Sequence, residues 1–139
     1  MGKRLLVIGL FTLFLTACYD HRILTKEDYI RMSDDEIRNV LFKYTPLGMK
    51  EDEVARIVLD RLNRKLQKGY YYNTEDSAGK STQFRGNVTV GDYYLYADLM
   101  HYGWVRHFFL AGEIVSASWL FSKTGILKDI RVVHHSDGV

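Results

Sequence analysis

The chain is poor in cross-links and in helix breakers. Its 139 residues include one cysteine and one proline, so no intramolecular disulfide can form and the fold must hold by its core alone. No apolar run is long enough to cross a bilayer: the longest, Leu5–Leu15, has eleven residues against the ~20 a spanning helix needs. Excess charge of one sign is also missing, with 19 Lys and Arg against 17 Asp and Glu. That balance lacks the basic footprint nucleic-acid binding requires and the polybasic patch that draws a protein to anionic lipid. There is no Gly-x-Ser-x-Gly elbow, no phosphate-cradling glycine loop and no spaced metal-ligand motif.

What is present is concentrated at the start. Lys3 and Arg4 form a basic beginning, Leu5–Leu15 an apolar stretch, and Leu15-Thr16-Ala17-Cys18 closes it, the order of a secretory signal. The sole thiol stands where the cut would fall, so the segment resembles a bacterial lipoprotein signal with its lipobox. The resemblance implies that 1–17 is removed, that Cys18 carries palmitate-type acyl chains and that the mature protein begins there. Lys3 and Arg4 leave with the signal, so the 17 acidic residues are then matched one for one. Each buried methylene of an acyl chain contributes about 0.8 kcal/mol, and two or three chains anchor firmly. Tyr19, rather than an aspartate, follows the cysteine, which by the usual sorting preference of such lipoproteins places the protein at the outer membrane, facing the periplasm.

Residues 18–32 read as a lipidated tether, with Thr25 and Asp28 able to cap a single turn, and 33–139 as one α+β domain. Ser33-Asp34-Asp35-Glu36 is a capping box, and Ile37, Val40, Leu41 and Tyr44 follow at helical spacing, predicting a helix over 34–43. Pro46 excludes helical backbone at Thr45. A second helix is predicted from Glu51 to Leu66, with an apolar stripe, acids in its first turn, bases in its last and Gly69 as its stop. Residues 69–91 read mostly as loop, with a short strand expected at Val88–Val90 or Thr82–Phe84. Beyond Gly91 the period changes to two: 92–101, 104–110, 113–121 and 126–135 alternate as strands, joined by tight turns at Ala111-Gly112 and Ser122–Gly125. The expected architecture is two N-terminal helices packed on one face of a three- to four-stranded antiparallel meander.

The Pro-Leu-Gly-Met turn entering an acidic helix start (Pro46–Val54), together with the Trp-Leu-Phe-x-x-x-Gly-x-Leu hairpin (Trp119–Leu127) and the lipobox, looks like small periplasmic lipoproteins of the SmpA/BamE kind. More broadly it is similar to the helix-helix-sheet module of β-lactamase-inhibitor-like proteins. The matching parts cover about 46–66 and 113–133, and no residue here is equated with that family's partner-binding positions. The resemblance implies a protein-binding module without catalysis.

Each candidate for chemistry has a simpler reading. His134 and His135, as strand neighbours, point to opposite faces and cannot jointly grip a metal, and His101 and His107 complete no ligand pattern, so solvated histidines are expected. Ser116 and Ser118 read as a polar strand face, and Asp98, Glu113 and Asp129 as surface carboxylates. No catalytic residue, metal, cofactor or small-molecule substrate is therefore expected. Aromatics are in surplus around Tyr70–Tyr72 and from Tyr93 to Phe109. By alternation Tyr94 and Tyr96 face outward, and with Tyr102 and Trp104 they form the expected protein-binding set, since Tyr and Trp commonly carry interface energy. The function this suggests is a lipid-anchored scaffold or adaptor binding another envelope protein. The alternative is a periplasmic inhibitor or immunity lipoprotein that neutralises a toxic or lytic enzyme.

Overall fold

Ser33 and Glu36 satisfy each other's backbone amides at 3.3 and 2.7 Å, which is why a helix begins where the sequence says it should. The computed structural model describes residues 22–79, 83–106 and 109–137, with the side chains of 103–111 and 137 outside that description. Among the described residues the helices are α1 (Lys26–Arg31), α2 (Asp34–Tyr44), α3 (Glu51–Leu62) and α4 (Glu75–Gly79), and the strands are β1 (Gln67–Tyr71), β2 (Tyr93–Arg106), β3 (Phe109–Phe121) and β4 (Leu127–Asp137). The strands form one antiparallel sheet in the order β1-β2-β3-β4, so the protein is α+β. Cys18 and the expected leader lie outside the described residues.

The stretch expected to be a tether is partly built into the domain. Thr25 and Asp28 close a second capping box, and Leu24 and Tyr29 are buried in the main core. Three apolar groups, Leu24, Tyr29 and Met32, are more than a solvated linker would carry, and one helical turn suffices to bury them.

Helix α3 stops at Leu62, four residues short of the expected Leu66. Asn63 adopts the left-handed conformation (φ 53°, ψ 44°), which asparagine tolerates, and the chain turns back as β1 where loop was expected. Leu66 reaches the same core from beyond the turn, which mimicked helical spacing.

The tight turn expected at Ala111-Gly112 is not there. Both residues lie within β3, Gly112 opposite Gly103, and the ladder continues to Arg106 opposite Phe109. The connection falls at 107–108, outside the described residues. The Ser122–Gly125 hairpin forms as expected, closed by Ser122 N–H to the Ile126 carbonyl (2.8 Å) with Gly125 at φ 78°. No strand forms at Val88–Val90; Val88 is buried instead. The described part of 82–84 is likewise without strand.

Two hydrophobic clusters share the sheet. The larger joins Ile37, Leu41, Val54 and Val58 of the helices to Leu95, Ala97, Leu99, Val115, Ala117, Trp119, Ile130 and Val132. The smaller joins Tyr72, Ala78, Phe84 and Val88 to Leu120, with Tyr94 packed against it. Leu120 and Tyr94 alternate with the residues of the first cluster, so Tyr72, Ala78, Phe84 and Val88 cover the opposite face at that end. Thr45 ties the proline break to the core: its Oγ1 donates to the Leu41 carbonyl (2.9 Å) and accepts from Trp119 Nε1 (3.2 Å). Both polar groups are buried, and each is satisfied.

Candidate functional site

The expected tyrosine set does not form one surface. Tyr94 is half-buried, with its ring 5.8 Å from Phe84 and 6.4 Å from Tyr72 between centroids. It lies so close over Gly69 of β1 that a Cβ there would fall 2.1 Å from the ring. An aromatic covering a strand glycine supports the ladder from its neighbour, and burial raises the Tyr94 phenol above its ordinary pKa. Tyr94 lies on the face that alternation assigned to it but is a packing residue there, because Tyr72, Ala78, Phe84 and Val88 supply a second layer. Tyr96 is half-buried and its hydroxyl donates to Gln67 Oε1 at 3.1 Å.

A bulge separates Tyr102 from these two. The ladder pairs Asp98 with Ser116 but Met100 with Val115, so one extra residue reverses the alternation. Met100 and Tyr102 consequently pack against the helix-side cluster, opposite to Tyr94. The Tyr102 hydroxyl donates to the Glu113 carboxylate, and that bond, with some burial, pushes its phenol up to about 12. Trp104 stands opposite Ala111 in the ladder, and its side chain lies outside the description.

Among the described side chains the most exposed aromatics are on β1, with Tyr44 of α2 next at 40%. Tyr70 and Tyr71 are 52% and 53% exposed, on an edge strand whose outer side meets no other strand among the described residues. Tyr71 stacks on Tyr93 (centroids 5.0 Å apart, planes at 22°) and Tyr93 on Phe121 (5.6 Å, 25°), so a column of rings runs from the core to the surface. Tyr93 donates its hydroxyl to the Glu51 carboxylate at the start of α3; burial first, then this bond, drive its phenol well above the ordinary value. Beside the column a cleft of about 510 Å³ is lined by Lys50, Glu51, Asp52, Tyr93, Lys123 and the Thr124–Ile126 turn. The Tyr70–Tyr72 run was visible in the sequence. The exposure of Tyr70 and Tyr71 was not, because Gly69 read as a helix stop and hid the strand.

The polar candidates are structural. Asp129 is buried, held by Arg38 (2.6 Å), the Gly86 amide (2.9 Å) and the Ile130 amide (2.8 Å). Asp98 accepts from Ser116 Oγ at 2.7 Å, with His101 3.8 Å away, and Glu113 is taken by Tyr102. His134 is half-buried rather than solvated, bonded to Asp34 and to the Tyr29 carbonyl (3.0 Å), because α1 and the start of α2 fold over β4. His135 is exposed, and His107 lies outside the described residues. Among the described residues no three His, Cys, Asp or Glu side chains converge on one point, and no helix is long and apolar enough to cross a membrane. No family model, curated protein or solved structure matches this chain.

Proposed function

We propose that this chain is a lipid-anchored, non-catalytic scaffold or adaptor that holds another envelope protein against the β1 edge. The observation that carries the reading is the pair Tyr70 and Tyr71, half exposed on an open edge. Large, rigid aromatics with a polar tip are what binding hot spots are made of, and Tyr71 is held in place by the stack behind it. The neighbouring cleft, lined by Lys50, Lys123, Glu51 and Asp52, offers charge of both signs to a polar, extended partner segment. Acylation of Cys18 at the outer membrane, facing the periplasm, is the other half of the proposal. It rests on the lipobox and Tyr19, and tethering raises the local concentration of any partner in the same compartment.

Two finer points belong to the same reading. The sharing of one core by Ile37, Leu41, Val54, Val58 and the alternating sheet residues supports two helices lying on one face of the sheet. Kinship with the SmpA/BamE-like lipoproteins rests on the Pro46–Val54 and Trp119–Leu127 motifs. Crosslinking in membranes followed by pull-down tests the function. The wild type should recover a defined envelope protein, and the Tyr70→Ala/Tyr71→Ala double variant should lose it while remaining folded. Equal recovery by both removes β1 as the docking edge.

A further inference from the structure

The outer edge of β4 has an opening at Val132. The Ile130 amide and carbonyl point away from β3 and are taken by Asp129 and Arg38. Val132 stands opposite Ala117 as Ile130 stands opposite Trp119, and in an antiparallel ladder every second residue turns its amide and carbonyl the same way. Those of Val132 therefore point outward too, and no hydrogen bond fills them among the described residues. Val132 lines a cleft of about 310 Å³ between α2, the loop at 83–85 and β4, whose walls include Asp35, Arg38, Arg85 and Arg131.

Among the described residues, charge in this cleft is matched except at Arg131. Arg38 pairs with the buried Asp129 at 2.6 Å and lies over the Phe42 ring, 4.6 Å from its centroid. Arg85 pairs with Asp35, both side chains well exposed, and Asp34 is bonded to His134. Arg131 is half-buried and has no ion pair or hydrogen bond among the described residues. Its one electrostatic contact there is the Tyr94 phenol, which is neutral at ordinary pH. A guanidinium that gives up hydration without gaining an anion is destabilised, and a bound anion would relieve that cost.

The cleft also limits what that anion can be attached to. A strand running along β4 would meet Arg38 at Ile130 on one side and the Asp34–His134 contact on the other. Only one residue can pair with Val132 before the chain must stop, so the ligand is a chain end. An amino terminus would bring a second cation to Arg131. A dianion would face the Asp34 and Asp35 carboxylates in the same cleft, with one unmatched cation to offset them. A single carboxylate fits, because its two oxygens can accept from a guanidinium and an amide together.

We infer that this cleft captures the carboxyl end of an extended polypeptide. One oxygen of the terminal carboxylate accepts from the Val132 amide and the other from Arg131, while the last residue's own amide donates to the Val132 carbonyl. Arg85 is a second donor, since its exposed pair with Asp35 is screened by solvent and easily exchanged. The site lies on the edge of the sheet opposite β1 and does not depend on the docking proposed there.

The test is a nuclear magnetic resonance titration of the isotope-labelled full chain, held in a non-ionic detergent, with the peptide acetyl-Ala-Thr-Val bearing a free carboxyl terminus. The same peptide as its C-terminal amide, acetate and inorganic phosphate are the comparison probes. The free peptide should shift the Val132 amide and Arg131 Nε–H resonances saturably, and amidation should weaken binding at least about tenfold. Arg131→Gln should cost about the same, and Arg131→Lys less, since it keeps the charge but loses the fork. Near-ultraviolet circular dichroism reports whether each variant is folded; if Arg131→Gln is not, the amidated peptide on the wild type decides. Tyr70→Ala/Tyr71→Ala should leave peptide binding unchanged, so failure here and failure of the β1 edge are read separately. Equal binding of the amidated peptide overturns the inference, as does unchanged affinity in folded Arg131→Gln. Acetate binding as tightly as the peptide overturns the pairing with Val132, and phosphate binding more tightly overturns the choice of a carboxylate.

Discussion

Along β4, the outward side of the sheet is taken up group by group. The Leu127 amide donates to the Met49 carbonyl and its own carbonyl accepts from Gly48. The Ile130 amide is held by Asp129, and the Ile130 carbonyl accepts Arg38 Nε at 2.6 Å. Asp34 and Tyr29 close over His134. Along β1 nothing comparable occurs among the described residues: the strand has five residues, four of them exposed, with two tyrosines facing solvent. Edge strands are a hazard that proteins normally blunt. Here one edge is guarded by polar side chains from a helix, while the other is kept short, carries Lys68 and is left open. The difference teaches that the β4 edge, apart from the opening at Val132, serves stability, while the β1 edge is the one on which the proposed docking rests.

The comparison is broken most severely at Arg38. Removing it strips the buried Asp129 carboxylate of its cation, and Arg38→Ala should destabilise by about 3 kcal/mol, as for a broken buried pair. Urea unfolding measures this, and a loss below about 1 kcal/mol would show that the guard is dispensable. Gly69→Ala comes next: its Cβ would displace the Tyr94 ring, an overpacking loss of about 2 kcal/mol. That loss should shrink in a Tyr94→Ala background, so a double-mutant cycle checks the contact. Arg64→Ala, which frees the carbonyls of Asp98 and Leu99, should lower stability by roughly 1 kcal/mol and speed amide exchange around the bulge.

A smaller effect separates the edges by pH. Burial pushes the His134 imidazole down, but its bonds to the Tyr29 carbonyl and to Asp34 outweigh this, leaving its pKa above the ordinary value of 6.5. The folded state thus holds the proton more tightly than the unfolded chain. That stabilisation is fully present below about pH 6.5 and is lost as pH rises through the folded-state value. Melting curves from about pH 5.5 to about pH 8.5 should show the decline, and His134→Asn should flatten it. Least of all, Tyr70→Ala/Tyr71→Ala should change stability by only about 0.5 kcal/mol. A much larger loss would make those rings structural and close the distinction between the edges.

Legibility followed range. The Thr25/Asp28 and Ser33/Glu36 boxes, the break at Thr45-Pro46 and the Ser122–Gly125 turn were all readable, because each is settled within a few residues by local hydrogen bonds or a fixed φ. The apolar alternation of Leu95, Ala97, Val115, Ala117 and Trp119 also marked the core face correctly. The end of α3 was not readable, since Leu66 and the basic run beyond Leu62 look helical until Asn63 turns left-handed. The extent of the long hairpin was hidden too, because no glycine or proline signals its connection at 107–108 while Gly112 suggests a turn that is not made. The candidate surface fared worst. Tyr94, Tyr96 and Tyr102 share a parity, and the bulge after Asp98 divides it.

By itself the sequence determined the α+β class, where most helices start and which strand residues face the core. These follow from interactions between neighbours and from periodicity, which act before any long-range contact exists. Only the tertiary structure decided that Tyr94 is covered while Tyr70 and Tyr71 are bare, and that β4 is guarded by Arg38 from ninety-two residues away. Those facts depend on which segments meet across the sheet, and pairing register and layer coverage are properties of the whole packed chain rather than of any window along it.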